Sequence, residues 1–249
     1  MAKTGSKKRK IIICIVSIVT VIALLFGACA VYLGDYYHAI TPAGESFGLR
    51  DGSFLTETIK LDNGNIVCKS ENATKGLIFY PGGKVEYTAY LPLMESLAQK
   101  GILCVLVRMP FNLAVLDVNA ADGIREMFPE ITDWYIGGHS LGGSMAAAYL
   151  EKHPNDFKGL LLLAAYSTAD LSNENIRTLS IYGSNDGVLN REKYEQYRSN
   201  LPELTEYIID GGCHAYFGVY GSQDGDGTPT IDNARQINLT ADAVAKWVG

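Results

Sequence analysis

The chain carries two kinds of hydrophobic pattern. From Ile11 to Leu33 the run IIICIVSIVTVIALLFGACAVYL contains no charged side chain. At about 1.5 Å of rise per residue it exceeds the roughly 30 Å hydrocarbon core of a bilayer, so it predicts one transmembrane helix. From residue 54 onward short apolar runs alternate with amphipathic stretches. The runs predict strands over 54–60, 65–69, 76–80, 102–107, 133–137, 159–164, 177–182 and 205–209. Several of them, such as GLIFY, ILCVLV and GLLLLA, are continuously apolar, as parallel strands buried on both faces are. Helices are predicted over 88–100, 117–128, 141–153, 190–200 and 232–248. In the first, Leu93, Met94, Leu97 and Ala98 share a face and Gly101 follows as a stop; in the last, Ile237, Ala241, Val244 and Val248 recur at helical spacing. This alternation argues for an α/β domain with a mostly parallel sheet and helices on both faces.

Charge orients the apolar segment. Lys3, Lys7, Lys8, Arg9 and Lys10 precede it, and Arg50 is the one basic residue in the 25 that follow. By the positive-inside rule, residues 1–10 form a basic cytoplasmic tail, 11–33 a single-pass anchor, and the remainder lies outside the cytosol at the cell membrane. Two other readings stay open. Ala28-Cys29-Ala30 has the form of a signal-peptidase site, and Cys29 could carry a lipid. Residues 34–53, rich in Gly and turn formers, read as a linker to one domain over 54–249.

Composition narrows the classes. Hydrophobic residues make up 47 % and charged residues 19 %, which is ordinary globular usage. Overall there are 21 Lys+Arg against 27 Asp+Glu. With the five basic residues of the tail set aside, sixteen basic face twenty-seven acidic residues, a net −11 that makes nucleic acid a poor partner. Five cysteines, two of them inside the apolar segment, do not form a disulfide framework and are read as free thiols. The loop Gly221–Thr230 (GSQDGDGTPT) invites a calcium reading. Counted from Asp224, however, position six is Pro229 and position twelve Arg235, where an EF-hand needs Gly and Glu. No metal and no cofactor is expected, and the loop reads as a polar stretch near His214.

The chemistry centres on Gly138-His139-Ser140-Leu141-Gly142. G-x-S-x-G alone is a weak signal, but here a strand (WYIGG) precedes it and an Ala-rich helix (SMAAAYL) follows. A sharp strand-to-helix turn needs glycines beside the serine because backbones crowd there, and it sets the hydroxyl at a helix amino terminus, where free N–H groups favour an oxyanion. A serine needs a base, and the base an orienting acid. Of the four histidines, His38 falls in the linker, His139 adjoins the serine and is expected to point elsewhere, and His153 ends a helix. His214, in Gly-Gly-Cys-His after the strand TEYII, is the candidate base. Asp186, in Tyr-Gly-Ser-Asn-Asp-Gly-Val just beyond a strand, is the candidate acid, ahead of Asp170, Glu174 and Asp210. The order Ser140, Asp186, His214 is that of α/β-hydrolases. The oxyanion hole is expected from the backbone N–H of Leu141 and of Gly83, in Tyr80-Pro81-Gly82-Gly83-Lys84, with Lys84 as the second choice.

From GLIFYPGGKVEYTAYLPL through GGHSLGGSMAA and YGSNDGV to GGCHAYFGVYGSQDGDGTPT, the chain resembles bacterial membrane-anchored α/β-hydrolases of the dienelactone-hydrolase-related group. The resemblance covers about residues 54–249. It implies the α/β-hydrolase fold and a serine hydrolase acting on ester-type acyl bonds. Dienelactone hydrolases themselves use a cysteine nucleophile, and Ser140 stands here instead, so their substrate does not carry over. The short connection after strand 159–164 leaves no room for a cap domain, which suggests an open site for small or surface-presented esters. Acyl transfer by the same residues, and a non-catalytic binding protein on this scaffold, are the rival readings. The pattern sets no oligomeric state.

Overall fold

The structure, a computed structural model, describes residues 4–40 and 56–249, with side chains from residue 12. It divides into two units, Met1–Tyr36 and Tyr37–Gly249. The first is one helix, α1 (Thr4–Gly34), which runs past both ends of the expected 11–33 segment. Its Ile12–Gly34 stretch of 23 residues contains an 18-residue window with a mean hydropathy of 2.9 and is long and apolar enough to cross a membrane. Of the stretch read as a linker, residues 41–53 lie outside the described residues, as do residues 54 and 55 of the first expected strand.

In the second unit, all eight predicted strands form within about two residues of their expected ends: β1 (Thr56–Lys60), β2 (Ile66–Ser70), β3 (Lys75–Tyr80), β4 (Ile102–Leu106), β5 (Asp133–His139), β6 (Gly159–Leu163), β7 (Arg177–Gly183) and β8 (Leu204–Ile209). They make one sheet in the order β1-β2-β4-β3-β5-β6-β7-β8. The β1–β2 and β2–β4 pairings are antiparallel, and every pairing from β4 to β8 is parallel. β3 lies between β4 and β5, so the chain leaves it toward one edge and returns on its other side. At such a switch point a crevice opens beyond the carboxyl ends of the strands. Register sets Tyr80 beside Gly138, so the loops after β3 and β5 emerge together.

Alternation along the strands builds two cores. Leu77, Phe79, Leu161 and Leu163 face one side of the sheet, with Leu93, Met94 and Leu97 of α2 (Leu91–Ala98) and Ile237, Ala241 and Val244 of α5 (Asn233–Val248). Ile78, Tyr80, Leu160 and Leu162 face the other, with Ala146, Ala147 and Leu150 of α3 (Leu141–Leu150). Each fully buried aliphatic side chain of this kind contributes about 1.5–3 kcal/mol. The helices start and stop for local reasons. Asn190 caps α4 (Arg191–Tyr197) by accepting from Lys193 N at 2.9 Å, and Asp232 caps α5 by accepting from Arg235 N at 2.6 Å. Gly101, at φ +82°, reverses the chain after α2.

The helix expected over 117–128 does not form. Asp117, Asn119 and Asp122 favour local turns over helix, and Gly123 sits at φ +73°. The backbone closes three-residue turns instead, among them Ala120 N to Asp117 O and Ile124 N to Ala121 O. Tyr80 Oη accepts from Ala121 N at 2.9 Å and donates to Val118 O at 2.8 Å. Ala121 and Ile124 are buried all the same, so the apolar spacing records burial without helix. The connection 164–176 between β6 and β7, all of it described, holds no helix.

Residues 37–40 belong to the second unit. Tyr37 N donates to Lys84 O at 2.7 Å and Glu86 N to Tyr37 O at 2.8 Å, while Ile40 N reaches Val219 O at 2.9 Å.

Candidate active site

Ser140 stands between the end of β5 and the first residue of α3 with φ 52° and ψ −121°, a conformation that costs a non-glycine residue on the order of 1–3 kcal/mol. Its surroundings enforce the turn. A β-carbon on Gly138 or Gly142 would overlap the Tyr80 carbonyl oxygen, and on Gly143 it would come within 2.8 Å of Gly138 O. Only glycine lets β3, β5 and α3 meet this closely. Strain gathers around the same crevice: Lys84 (φ 58°), Ser140 and Ala164 (φ 47°) follow β3, β5 and β6 respectively.

His214 and Asp186 are brought together by the ends of β8 and β7. His214 Nδ1 lies 3.0 Å from Asp186 Oδ2 and 3.2 Å from Oδ1, with both side chains at 1 % exposure or less. Asp186 Oδ1 also accepts from Val188 N at 2.9 Å and Leu189 N at 2.8 Å, which locks the carboxylate's orientation. An acceptor facing Nδ1 places the imidazole proton there and leaves Nε2 as the basic nitrogen. That Nε2 has no hydrogen-bond partner among the described residues. Ser140 and His214 line one cavity of about 270 Å³ together with Leu141, Ser144, Ala164, Ala165, Tyr166, Val188, Leu189 and Asn190. Asp186 is thus joined to His214 by direct bonds, and Ser140 to His214 by the shared cavity.

The two residues expected to supply the oxyanion donors are neighbours. A β-carbon on Gly83 would come within 2.8 Å of Leu141 Cδ2, so the two residues touch across the crevice. Lys84, the second choice, is unavailable because its amide donates to Asn112 O at 2.8 Å. The Ser140 amide is likewise taken, by Leu163 O at 2.9 Å. Leu141 opens α3, where first-turn N–H groups lack helical partners.

His139 departs from expectation. It does not line the cavity, yet its buried ring packs against that of His214 with centroids 4.5 Å apart. Gly82 N donates to Tyr90 Oη at 3.1 Å, and Tyr90 Oη and His139 Nδ1 share a hydrogen bond at 2.8 Å. Tyr90 therefore ties the loop after β3 to the serine turn, a link that no local pattern in the sequence signals. Burial, and then the nearby charge of His214, hold the His139 pKa well below 6.5. The unfolded chain binds a proton there that the folded chain refuses. This contribution to stability is present above about pH 6.5 and is lost as pH falls, by up to about 1.4 kcal/mol per unit. Melting temperatures from about pH 7.5 to 5.5 are expected to fall more steeply for wild type than for His139→Gln; equal slopes would remove His139 as the cause.

The remaining candidates stand apart from the crevice. His153 stacks on Tyr149 at 4.2 Å, and His38 lies 3.6 Å from Glu86. The cysteines are free, and those of the second unit, Cys68, Cys104 and Cys213, are buried. Burial pushes the Cys213 thiol, next to the candidate base, up to about 12, which leaves it inert as a nucleophile. Among the described residues no cluster of His, Cys, Asp and Glu could hold a metal ion.

A strained serine at a strand-to-helix turn, beyond the switch point of a mostly parallel eight-stranded sheet, defines an enzyme of the hydrolase class. The family model described as the alpha/beta hydrolase family matches residues 76–238, and the chain belongs to that family. Comparison with curated proteins gives no match. Among solved structures, carboxyl esterase 2 from the mycorrhizal fungus Tuber melanosporum is similar with a TM-score of 0.59 at 12 % identity, covering 85 % of this chain and 91 % of its own. A predicted CIB-like hydrolase from Thermoplasma acidophilum is similar with a TM-score of 0.54 at 16 % identity, covering 78 % and 99 %. At these identities the likeness is one of fold.

Proposed function

We propose that this chain is a serine hydrolase of ester-type acyl bonds. The observation that carries the reading is the buried Asp186–His214 pair, whose unpartnered Nε2 shares a cavity with the strained Ser140. In the proposed cycle Ser140 Oγ attacks the acyl carbonyl carbon as its proton passes to His214 Nε2. The resulting oxyanion is held by the Leu141 and Gly83 N–H groups, and Asp186 stabilises the imidazolium. Collapse breaks the ester C–O bond, and the alcohol leaves with the proton from Nε2. Water then attacks the acyl-enzyme, giving its proton to Nε2, and the acid is released as that proton returns to Ser140 Oγ. No cofactor enters these steps.

The cavity's size supports small acyl groups. Its 270 Å³ falls below the roughly 300–1,000 Å³ of pockets for drug-sized ligands, and Ala164, Ala165, Val188 and Leu189 give it an apolar wall. A series of p-nitrophenyl esters assayed with the full chain should show kcat/KM highest for two- to four-carbon acyl groups and at least tenfold lower by ten carbons. A rise with chain length would contradict the short-acyl assignment. We infer in addition that α1 anchors the chain in the cell membrane with its basic end cytoplasmic, so that the catalytic unit works on small or surface-presented esters outside.

A further inference from the structure

The Gly221–Thr230 loop contains a carboxylate that the proposed cycle does not use. Asp226 Oδ1 accepts from His214 N at 3.1 Å, Gly187 N at 3.1 Å and Gly227 N at 2.8 Å, and Oδ2 accepts from Ala215 N at 2.9 Å. Two of these donors flank the candidate base, and Gly187 directly follows the candidate acid. One side chain therefore holds the backbone of the His214 turn and the backbone of the Asp186 turn at a common point. The junction has no slack. A β-carbon on Gly187 would come within 2.5 Å of Gly225 O, and one on Gly227 would overlap Asn185 O. Burial alone would raise the Asp226 carboxyl, but the N–H groups of Ala215, His214 and Gly187 outweigh it and hold the group below its ordinary range.

We propose that Asp226 is a positioning residue that fixes the separation and aim of His214 relative to Asp186. This rests on the assignment of those two residues as the base and its orienting acid. The reasoning is geometric. The Nδ1–carboxylate distance of 3.0 Å depends on where two turns from different strand ends stop; Asn185 N donates to Gly212 O at 2.9 Å just before the two residues, and Asp226 is a side chain bonded to both backbones at and just after them. Asparagine keeps the size of the side chain but turns one of its two acceptor atoms into a donor facing an N–H. Glutamate keeps the charge but is one methylene too long for a junction in which backbones already touch.

The test compares wild type, Asp226→Asn and Asp226→Glu as full chains, by labelling rate with a fluorophosphonate and by kcat and KM on a short ester. A displacement of about 1 Å at the reacting groups costs on the order of 100-fold in rate. Both variants are expected to show kcat and labelling rates about 10- to 100-fold lower with KM within about twofold, and glutamate is expected not to rescue. A folded Asp226→Asn chain that labels and turns over within twofold of wild type would overturn the proposal. If that variant melts below assay temperature, Gly187→Ala, which presses on the junction from the acid side, replaces it with the same expected loss and the same overturning result. A wild-type chain that does not label at all contradicts the serine-hydrolase reading itself, so the two failures are distinguishable.

Discussion

Replacing Ser140 by alanine is expected to lower kcat by about four to six orders of magnitude with the fold intact, since loss of an activated serine leaves only binding and oxyanion stabilisation. The structure says why the loss should be chemical. The Ser140 backbone is held by its amide bond to Leu163 O and by Ser144 N donating to its carbonyl at 3.2 Å, and neither bond involves the hydroxyl. Alanine keeps both and the strained φ of 52°. Glycine at 140 should remove activity equally while raising stability by about 1 kcal/mol, because it relieves a conformation only glycine adopts freely. Ester turnover and thermal melts of the two variants check both halves. An alanine variant with more than a few per cent of wild-type kcat would show that another group attacks the substrate.

Asp186→Asn is expected to cost about 10⁴-fold in kcat with little change in KM. The backbone decides which way the amide turns. Val188 N and Leu189 N both donate to Oδ1, so the asparagine must keep its oxygen there and present its NH₂ where Oδ2 now faces His214 Nδ1. Two donors cannot face each other. The imidazole is driven to the tautomer with its proton on Nε2, which has no lone pair to take the serine proton. Steady-state kinetics on a short ester, with the melt as a control on folding, test this. A loss below tenfold would mean that Asp186 does not set the tautomer of His214.

How much was legible in the sequence depended on whether the signal was local. β3 and β6 were readable because strands buried on both faces have no choice but continuous apolar runs such as GLIFY and GLLLL. The serine turn was readable because crowding of three backbones leaves glycine at 138, 142 and 143. The segment 117–128 misled because Ala121 and Ile124 are buried at helical spacing while Tyr80, some forty residues away, takes over the backbone bonds a helix would have made. Asp226 sits in a loop whose acidic spacing invites a metal, but three of its four partners are amides of other loops, which leave no mark on the sequence around it. The contact of His139 with His214 was equally hidden, because strand alternation does not say which neighbouring loop folds back over a residue. The candidate residues stand out in the sequence by type and spacing, and the contacts that surround them do not.

The most direct measurement is labelling of the full-length chain with a fluorophosphonate, followed by peptide mapping of the adduct and repeated on His214→Ala. Covalent modification of Ser140 alone, abolished in the histidine variant, is the predicted result. A folded wild-type chain that stays unlabelled, or an adduct on another residue, would contradict the assignment of Ser140 as a nucleophile activated by His214.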